Sequence, residues 1–301
     1  MSGGGVHRDS LNPTRRRTPT PGESARIACI AEVTAQKAGN VHPEAPFDDV
    51  AWVDFVVSAA VCAPLLDTAA SRGIGRTVLA CVEATRQAVA SNTNLGILLL
   101  LAPLCAVPPD RPYREGVGQV LRNLTRDDAV AVYAAIRAAD PGGLGRVRSQ
   151  DVAANPDAAL VEAMRLAAKR DAVARQYVTS FEDVFRLATR LGVVAPPLDG
   201  AIVHSHLEQM AREPDSLIRR KCGDAVAGES QRRAAAVLEA GWPESRCGAE
   251  QFADLDRWLR LDGHRRNPGT SADLVTSGLF VALRDGSIEA PFAWSAGVYP
   301  E

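Results

Sequence analysis

The segment Asn92-Thr93-Asn94-Leu95-Gly96 runs directly into Ile97-Leu98-Leu99-Leu100-Leu101-Ala102-Pro103-Leu104. An apolar run with no polar face reads as a helix buried on all sides. It is too short to span a bilayer and it ends near Pro103. A helix of this kind needs other helices packed around it, which makes the chain a layered helical protein. The polar entrance is a second signal. One asparagine suffices for an N-cap, whereas Asn92, Thr93 and Asn94 together exceed what a cap requires. Helix N-terminal amides attract phosphate or carboxylate, Asn side chains donate and accept, and Gly96 leaves room for close approach. The turn therefore reads as one wall of a ligand pocket.

Composition agrees with a folded protein and excludes several classes. With 301 residues the chain can build one large core or two modest ones. A net charge of -2 gives no bulk attraction to nucleic acid or acidic lipid. Aromatic residues at 5% are too few for base-stacking platforms. The six cysteines form no CxxC pair and mostly sit among aliphatic residues, against a zinc site or a secreted disulfide scaffold. Arg15-Arg16-Arg17 is not followed by an apolar h-region. A cytoplasmic protein with no nucleic-acid or membrane partner is expected.

Outward from the central helix, alanine-rich segments with helical spacing dominate and strand alternation is scarce. Residues 1–21 are rich in Gly, Pro, Ser, Thr and Arg and read as a disordered leader. Residues 22–301 read as a single all-α domain with layered helix packing. A first helix is expected over 23–37, and a second is capped by Asp48 or Asp49. A third carries Val78, Val82, Glu83 and Val89, and Thr125 with Asp128 forms a capping box. Pro141-Gly142-Gly143-Leu144-Gly145 breaks the chain. A long helical stretch is expected over 156–191 with one interruption near Thr179. Further helices are expected over 200–210, 216–222, 224–240, 250–260 and 271–284.

Polar residues collect at the breaks. Glu32, Lys37, Asn40, His42, Asp48 and Asp49 form the first group. Lysine neutralises phosphate as a mobile charge, and Asp49 suits either Mg2+ or a helix cap. Glu83, between Val82 and Ala84, reads as an inward carboxylate, costly unless a metal or cation faces it. The Gly142–Gly145 turn with Arg146 and Asp151 is neither a P-loop nor a Rossmann loop, and suits a phosphate cover or a plain turn equally. In the last group Ser271 suits the cap of the final helix, while Asp273 suits its first turn or a metal. The run Arg219-Arg220-Lys221 is either a solvated helix end or a reach toward an anion. No nucleophile elbow or Cys/His triad is present. The residues alone thus read as a helical, Mg2+-assisted phosphate or nucleotide enzyme, with a helical binding or assembly protein as rival.

These motifs, taken in order, resemble the triphosphoribosyl-dephospho-CoA synthase (CitG-like) family. The resemblance spans about 28–283. It rests on Glu32 to His42, on Asp49, Phe55 and Ser58, on Glu83 with Asn92 to Gly96, on Gly142 to Gly145 with Asp151-Val152, and on Asn267-Pro268-Gly269 with Ser271 to Leu274. It implies an all-helical fold and transfer of the triphosphoribosyl group of ATP to 3'-dephospho-CoA with release of adenine. It further implies Mg2+, catalytic carboxylates among Glu32, Asp49 and Glu83, and metal ligands among these and Asp273. Contacts to the nucleotide would come from Lys37, Asn40, His42, Asn92, Thr93, Asn94, Gly96, Arg146 and Ser271. The chain departs from the pattern at Asn94-Leu95, where the well-studied branch carries His-Lys, and at Ala38 in place of Pro. A divergent branch is implied, similar to members linked to tetrahydromethanopterin or methanofuran C1 metabolism, with a different acceptor as the alternative. A homodimer is the expected assembly.

Overall fold

A computed structural model describes residues 17–89, 91, 93–139, 156–193 and 197–295. These residues form helices joined by short turns, with one isolated bridge between His42 and Ala45. In chain order the helices are α1 (Pro21–Thr34), α2 (Trp52–Leu66), α3 (Ala69–Arg72), α4 (Ile74–Ala88), α5 (Leu95–Cys105), α6 (Tyr113–Arg122), α7 (Arg126–Ala139) and α8 (Leu160–Ala167). They continue as α9 (Ala172–Thr179), α10 (Glu182–Val193), α11 (Leu198–Arg212), α12 (Ser216–Cys222), α13 (Asp224–Glu239), α14 (Arg246–Arg260) and α15 (Gly269–Arg284). The fold is all-α. Among the described residues no helix is long and apolar enough to cross a membrane.

The segment that opens the sequence argument forms α5, and it lies at the centre. Leu98, Leu100, Leu101, Ala102 and Leu104 are all fully buried. Pro103 has no N–H for the carbonyl of Leu99, four residues earlier. The Tyr177 hydroxyl takes that carbonyl instead, at 2.6 Å. One hydrogen bond thus repairs the helix and ties α9 to it. α15 is the second central helix, with Leu274, Val275, Leu279 and Phe280 fully buried. The buried hydroxyls of Thr276 and Ser277 are satisfied within the helix: Thr276 Oγ1 donates to Ala272 O at 3.0 Å and Ser277 Oγ to Asp273 O at 2.9 Å. α1 packs on α2 and α15, α4 on α7, α10 on α15, and α11 on α13.

Local chemistry sets the helix ends and corrects several expectations. Thr20 caps α1 through a capping box with Glu23, and Pro21 opens the helix. The leader expectation otherwise falls on residues 1–16, outside the described residues. The second helix is not capped by Asp48 or Asp49. It starts after Ala51, whose N–H is held by Asp54 Oδ2 at 2.8 Å. The stretch 156–191 is broken twice rather than once. Asp171 accepts from Ala174 N at 3.0 Å to start α9, and Ser180 and Phe181 adopt left-handed backbone, with φ of 54° and 64°. α6 was absent from the sequence expectation, because the Pro108–Pro112 region masks an amphipathic helix. The Gly142–Gly145 turn lies outside the described residues.

Candidate active site

A cavity of about 730 Å³ opens where helix ends converge. Its walls come from the end of α1, the 39–51 loop, the start of α5, the α8–α9 turn, α12 and the start of α15. Asp215 joins two of these ends. Its Oδ1 accepts from Leu217 and Ile218 N–H at 2.8 and 3.1 Å, and its Oδ2 accepts from Ser271 N–H and Oγ at 2.7 and 2.8 Å. Ser216 Oγ donates to Thr270 Oγ1 and accepts from Ala172 N–H, which adds α9. One buried Asp-Ser pair therefore holds the starts of three helices around the cavity.

Glu32 and Lys37 lie on this cavity, although each is nearly excluded from solvent. α1 ends at Thr34, leaving its last carbonyls unbonded. The Lys37 ammonium donates to Glu32 O at 2.5 Å and Ala35 O at 3.2 Å, and stands 3.2 Å from Glu32 Oε1. Two of the three ammonium protons go to carbonyls, and the charge pairs with Glu32 Oε1, which has no hydrogen-bond partner of its own. Lys37 thus caps α1 and fixes Glu32 from the cavity wall, held in place rather than mobile. Burial raises the Glu32 carboxyl pKa, and Lys37 restores part of its acidity. Burial likewise lowers the Lys37 pKa.

Asp273 faces the same cavity from α15, but past the first turn expected for it, because the helix starts at Gly269. Its carboxylate rests on Gly96 at the start of α5. A Cβ on residue 96 would lie 2.0 Å from Asp273 Oδ2, so only glycine admits it. Burial first, and then the neighbouring Glu32, lift Asp273 well above the ordinary carboxylate range. Two carboxylates thus face each other near one committed cation.

The entrance turn divides its labour. Asn94 Nδ2 donates to Thr85 Oγ1 at 3.2 Å and Cys62 Sγ at 3.6 Å, so the side chain braces α2 and α4 and does not cap α5. Ser58 Oγ gives its proton to Asp54 O at 2.6 Å. Thr93 is therefore the donor in their 2.7 Å contact. The oxygen of Thr93 keeps acceptor capacity on the cavity side. Asn40 Nδ2 donates to Asn267 Oδ1, and Arg260 Nη2 holds Asn40 O at 2.8 Å. Gly39 has φ of 71°, and its N–H reaches Asp256 Oδ1 at 2.8 Å, which clamps this loop to α14.

Other expected residues fall elsewhere. Glu83 points to solvent from α4 and is absent from the cavity wall, since the burial of Val82 turns its neighbour outward. His42 is buried beside the cavity, and burial, Arg260 and Lys37 depress it to about 4. Ser271 is not an N-cap. α15 starts at Gly269, and both polar groups of Ser271 are spent on Asp215. Asp49 is exposed at the mouth, 3.6 Å from His264, which stacks on Phe47. Asn92 and Arg146 lie outside the described residues. Not foreseen from sequence are Arg170, Asp171 and an apolar wall built by Tyr133, Leu160 and Met164. Asp171 and Asp215 carried an available signal, an Asp immediately before a helix. The wall carried none, because its members resemble any core residues.

Among the described residues no three His, Cys, Asp or Glu side chains gather to hold a metal ion by themselves. Glu32 and Asp273 still offer hard oxygen donors. Mg2+ commonly takes one or two carboxylates and completes its shell with water and substrate phosphates. The donor set fits that mode of binding.

A sequence model of the family described as CitG, ATP:dephospho-CoA triphosphoribosyl transferase, matches residues 18–291. A crystal structure of a candidate triphosphoribosyl-dephospho-CoA synthase from Archaeoglobus fulgidus superposes with a TM-score of 0.61 at 27% identity. The match covers 76% of this chain and 98% of that one. No curated protein matches the chain.

Proposed function

We propose that this chain, which belongs to the ATP:dephospho-CoA triphosphoribosyl transferase family, moves the triphosphoribosyl group of ATP onto a hydroxyl of a CoA-related acceptor. In that reaction the bond from ribose C1' to the adenine nitrogen breaks and a bond from C1' to the acceptor oxygen forms. The hydroxyl proton leaves the acceptor, and adenine departs protonated. The observation that carries this reading is the meeting of Glu32 and Asp273, remote in sequence, on one wall of a cavity of about 730 Å³. That volume lies in the range of small-molecule sites.

Positive charge develops on the ribose as the C–N bond lengthens. Carboxylates beside C1' stabilise that charge, and a fixed carboxylate needs no reorganisation at the moment of reaction. Glu32 is fixed by Lys37 and accepts the proton of the attacking hydroxyl. Its raised pKa makes it a better base than a free carboxylate while leaving it ionisable. Asp273 lines the same space. Mg2+, bound by Asp273 and Glu32, would neutralise phosphate charge. Thr93 supplies an acceptor for a sugar hydroxyl, and the wall of Tyr133, Leu160 and Met164 covers uncharged parts of the ligands.

A second reading keeps the donor and changes the acceptor, as in C1-cofactor metabolism. It is favoured by Asn94 and Leu95: Asn94 is spent on the core, and Leu95 presents only an apolar side chain to the cavity. Incubation with ATP, Mg2+ and a panel of hydroxyl acceptors separates the two. Adenine release that depends on dephospho-CoA supports the first reading. Release that depends only on another acceptor selects the second, and no release with any acceptor refutes both.

A further inference from the structure

The structure assigns a polyphosphate site to the cavity wall formed by Arg219, Arg220 and Lys221 at the end of α12, with Arg170 at its mouth. The reading as a solvated helix end does not fit these residues. Arg219, Arg220 and Lys221 are all half-buried, and all three line the cavity together with the exposed Arg170. Four cations line this wall; Asp224 and Asp171 stand nearest to them, and Asp49 and Asp273 act on Lys221 and Arg220 from farther off. Arg219 pairs with Asp224 at 2.8 Å, but Asp224 has a side chain 87% exposed, so solvent screens it. Arg220 stands 3.7 Å from Asp171, beyond ordinary hydrogen-bond length. Among the described residues neither Arg170 nor Lys221 has a carboxylate within ion-pair reach. The buried Nε of Arg220 lacks a hydrogen-bond partner. Burial, and then the charge of Arg220, hold Lys221 below the ordinary lysine pKa.

A cluster of like charges half-removed from water is unfavourable unless an anion joins it. Guanidinium groups bind phosphate oxygens in pairs and lysine adds a point charge, a combination suited to a chain of phosphates. Lys37 is already held by two carbonyls and paired with Glu32, which leaves the α12 cations as the uncommitted charge on this cavity. Glu32 and Asp273 line the same cavity, so a nucleotide with its phosphates on α12 can direct its ribose toward the carboxylates. The triphosphate of the donor is the occupant that matches this charge. Its identity rests on the transfer reading, whereas polyphosphate binding does not.

Inorganic tripolyphosphate is the probe, titrated calorimetrically into the full chain without Mg2+ at fixed salt. Wild type binds it, and Arg220→Gln and Lys221→Gln each weaken binding about tenfold, with unchanged circular dichroism. Arg246→Gln, a side chain 93% exposed outside the cavity, leaves binding unchanged. Competition separates the two phosphate-bearing substrates: tripolyphosphate displaces ATP and not dephospho-CoA. Absence of binding, equal weakening by Arg246→Gln, or displacement of dephospho-CoA alone overturns the assignment. Tripolyphosphate binding without adenine release would retain this site and reject the transfer reaction.

Discussion

Gly96→Ala isolates the geometry on which the chemistry depends. The new methyl group would stand 2.0 Å from Asp273 Oδ2 and 2.7 Å from Cγ, whereas real contacts essentially never fall below 3.0 Å. The carboxylate must therefore retreat by about 1 Å or turn to another rotamer. Displacement of a reacting group by about 1 Å costs on the order of 100-fold in rate, or about 2.7 kcal/mol of barrier. The folded state loses little. The clash involves the far end of a side chain, and alanine is a better helix former than glycine by about 1 kcal/mol. The expected result is a kcat for adenine release reduced about 100-fold, with a thermal unfolding midpoint close to wild type. Gly228→Ala is the control, since its nearest atom would be Arg232 Nη1 at 3.5 Å. A Gly96→Ala protein that folds normally and retains kcat within twofold refutes the placement of Asp273 at the reacting centre.

Three further outcomes follow from the same geometry. Lys37→Met removes the partner of a buried carboxylate and the cap of α1, and should cost about 3 kcal/mol in urea unfolding while leaving the KM for ATP within twofold; a tenfold rise in KM at unchanged stability would return Lys37 to the phosphate. Glu83→Ala should leave both kcat and stability within error, because the side chain is exposed and off the cavity wall, and a large loss of kcat would contradict that position. His206 is fully buried and held at about 3, chiefly by burial, so as pH falls below 6.5 the unfolded chain gains a proton that the folded chain refuses. Stability should therefore decline on acidification, and His206→Met should lose roughly 2 kcal/mol less than wild type between pH 7 and pH 5; equal losses would place the acid sensitivity elsewhere, for example at His42.

The sequence revealed most about helices and least about direction. Apolar run and polar entrance marked α5, and the 216–222 expectation coincides with α12, because both elements have abrupt polar or glycine borders. The interruption expected near Thr179 is present at Ser180 and Phe181, whereas the break at 168–171 was not foreseen, since Ala168, Lys169 and Arg170 are ordinary helix residues. Site residues at chain breaks were visible as polar clusters, and the structure brings Glu32, Asp273, Thr93 and Asn94 onto one cavity. Which way each side chain spends its hydrogen bonds was not visible. Lys37, Ser271 and Asn94 turn inward to hold the walls, and Glu83 turns outward. The α12 cations could be read in sequence either as a solvated helix end or as a reach toward an anion. Only the fold, by half-burying them beside a cavity, separates them from a solvated surface.

The central claim is that Glu32, pinned by Lys37, serves a transfer that joins C1' of the donor ribose to an acceptor oxygen. Its most direct test is mass spectrometry of the products formed from ATP, Mg2+ and dephospho-CoA by wild type and by Glu32→Gln. Wild type should form adenine and the triphosphoribosyl adduct in equal amounts. Glu32→Gln, with wild-type circular dichroism, should form both at least about 100-fold more slowly. Adenine without adduct, or adduct at the wild-type rate from Glu32→Gln, would contradict the account.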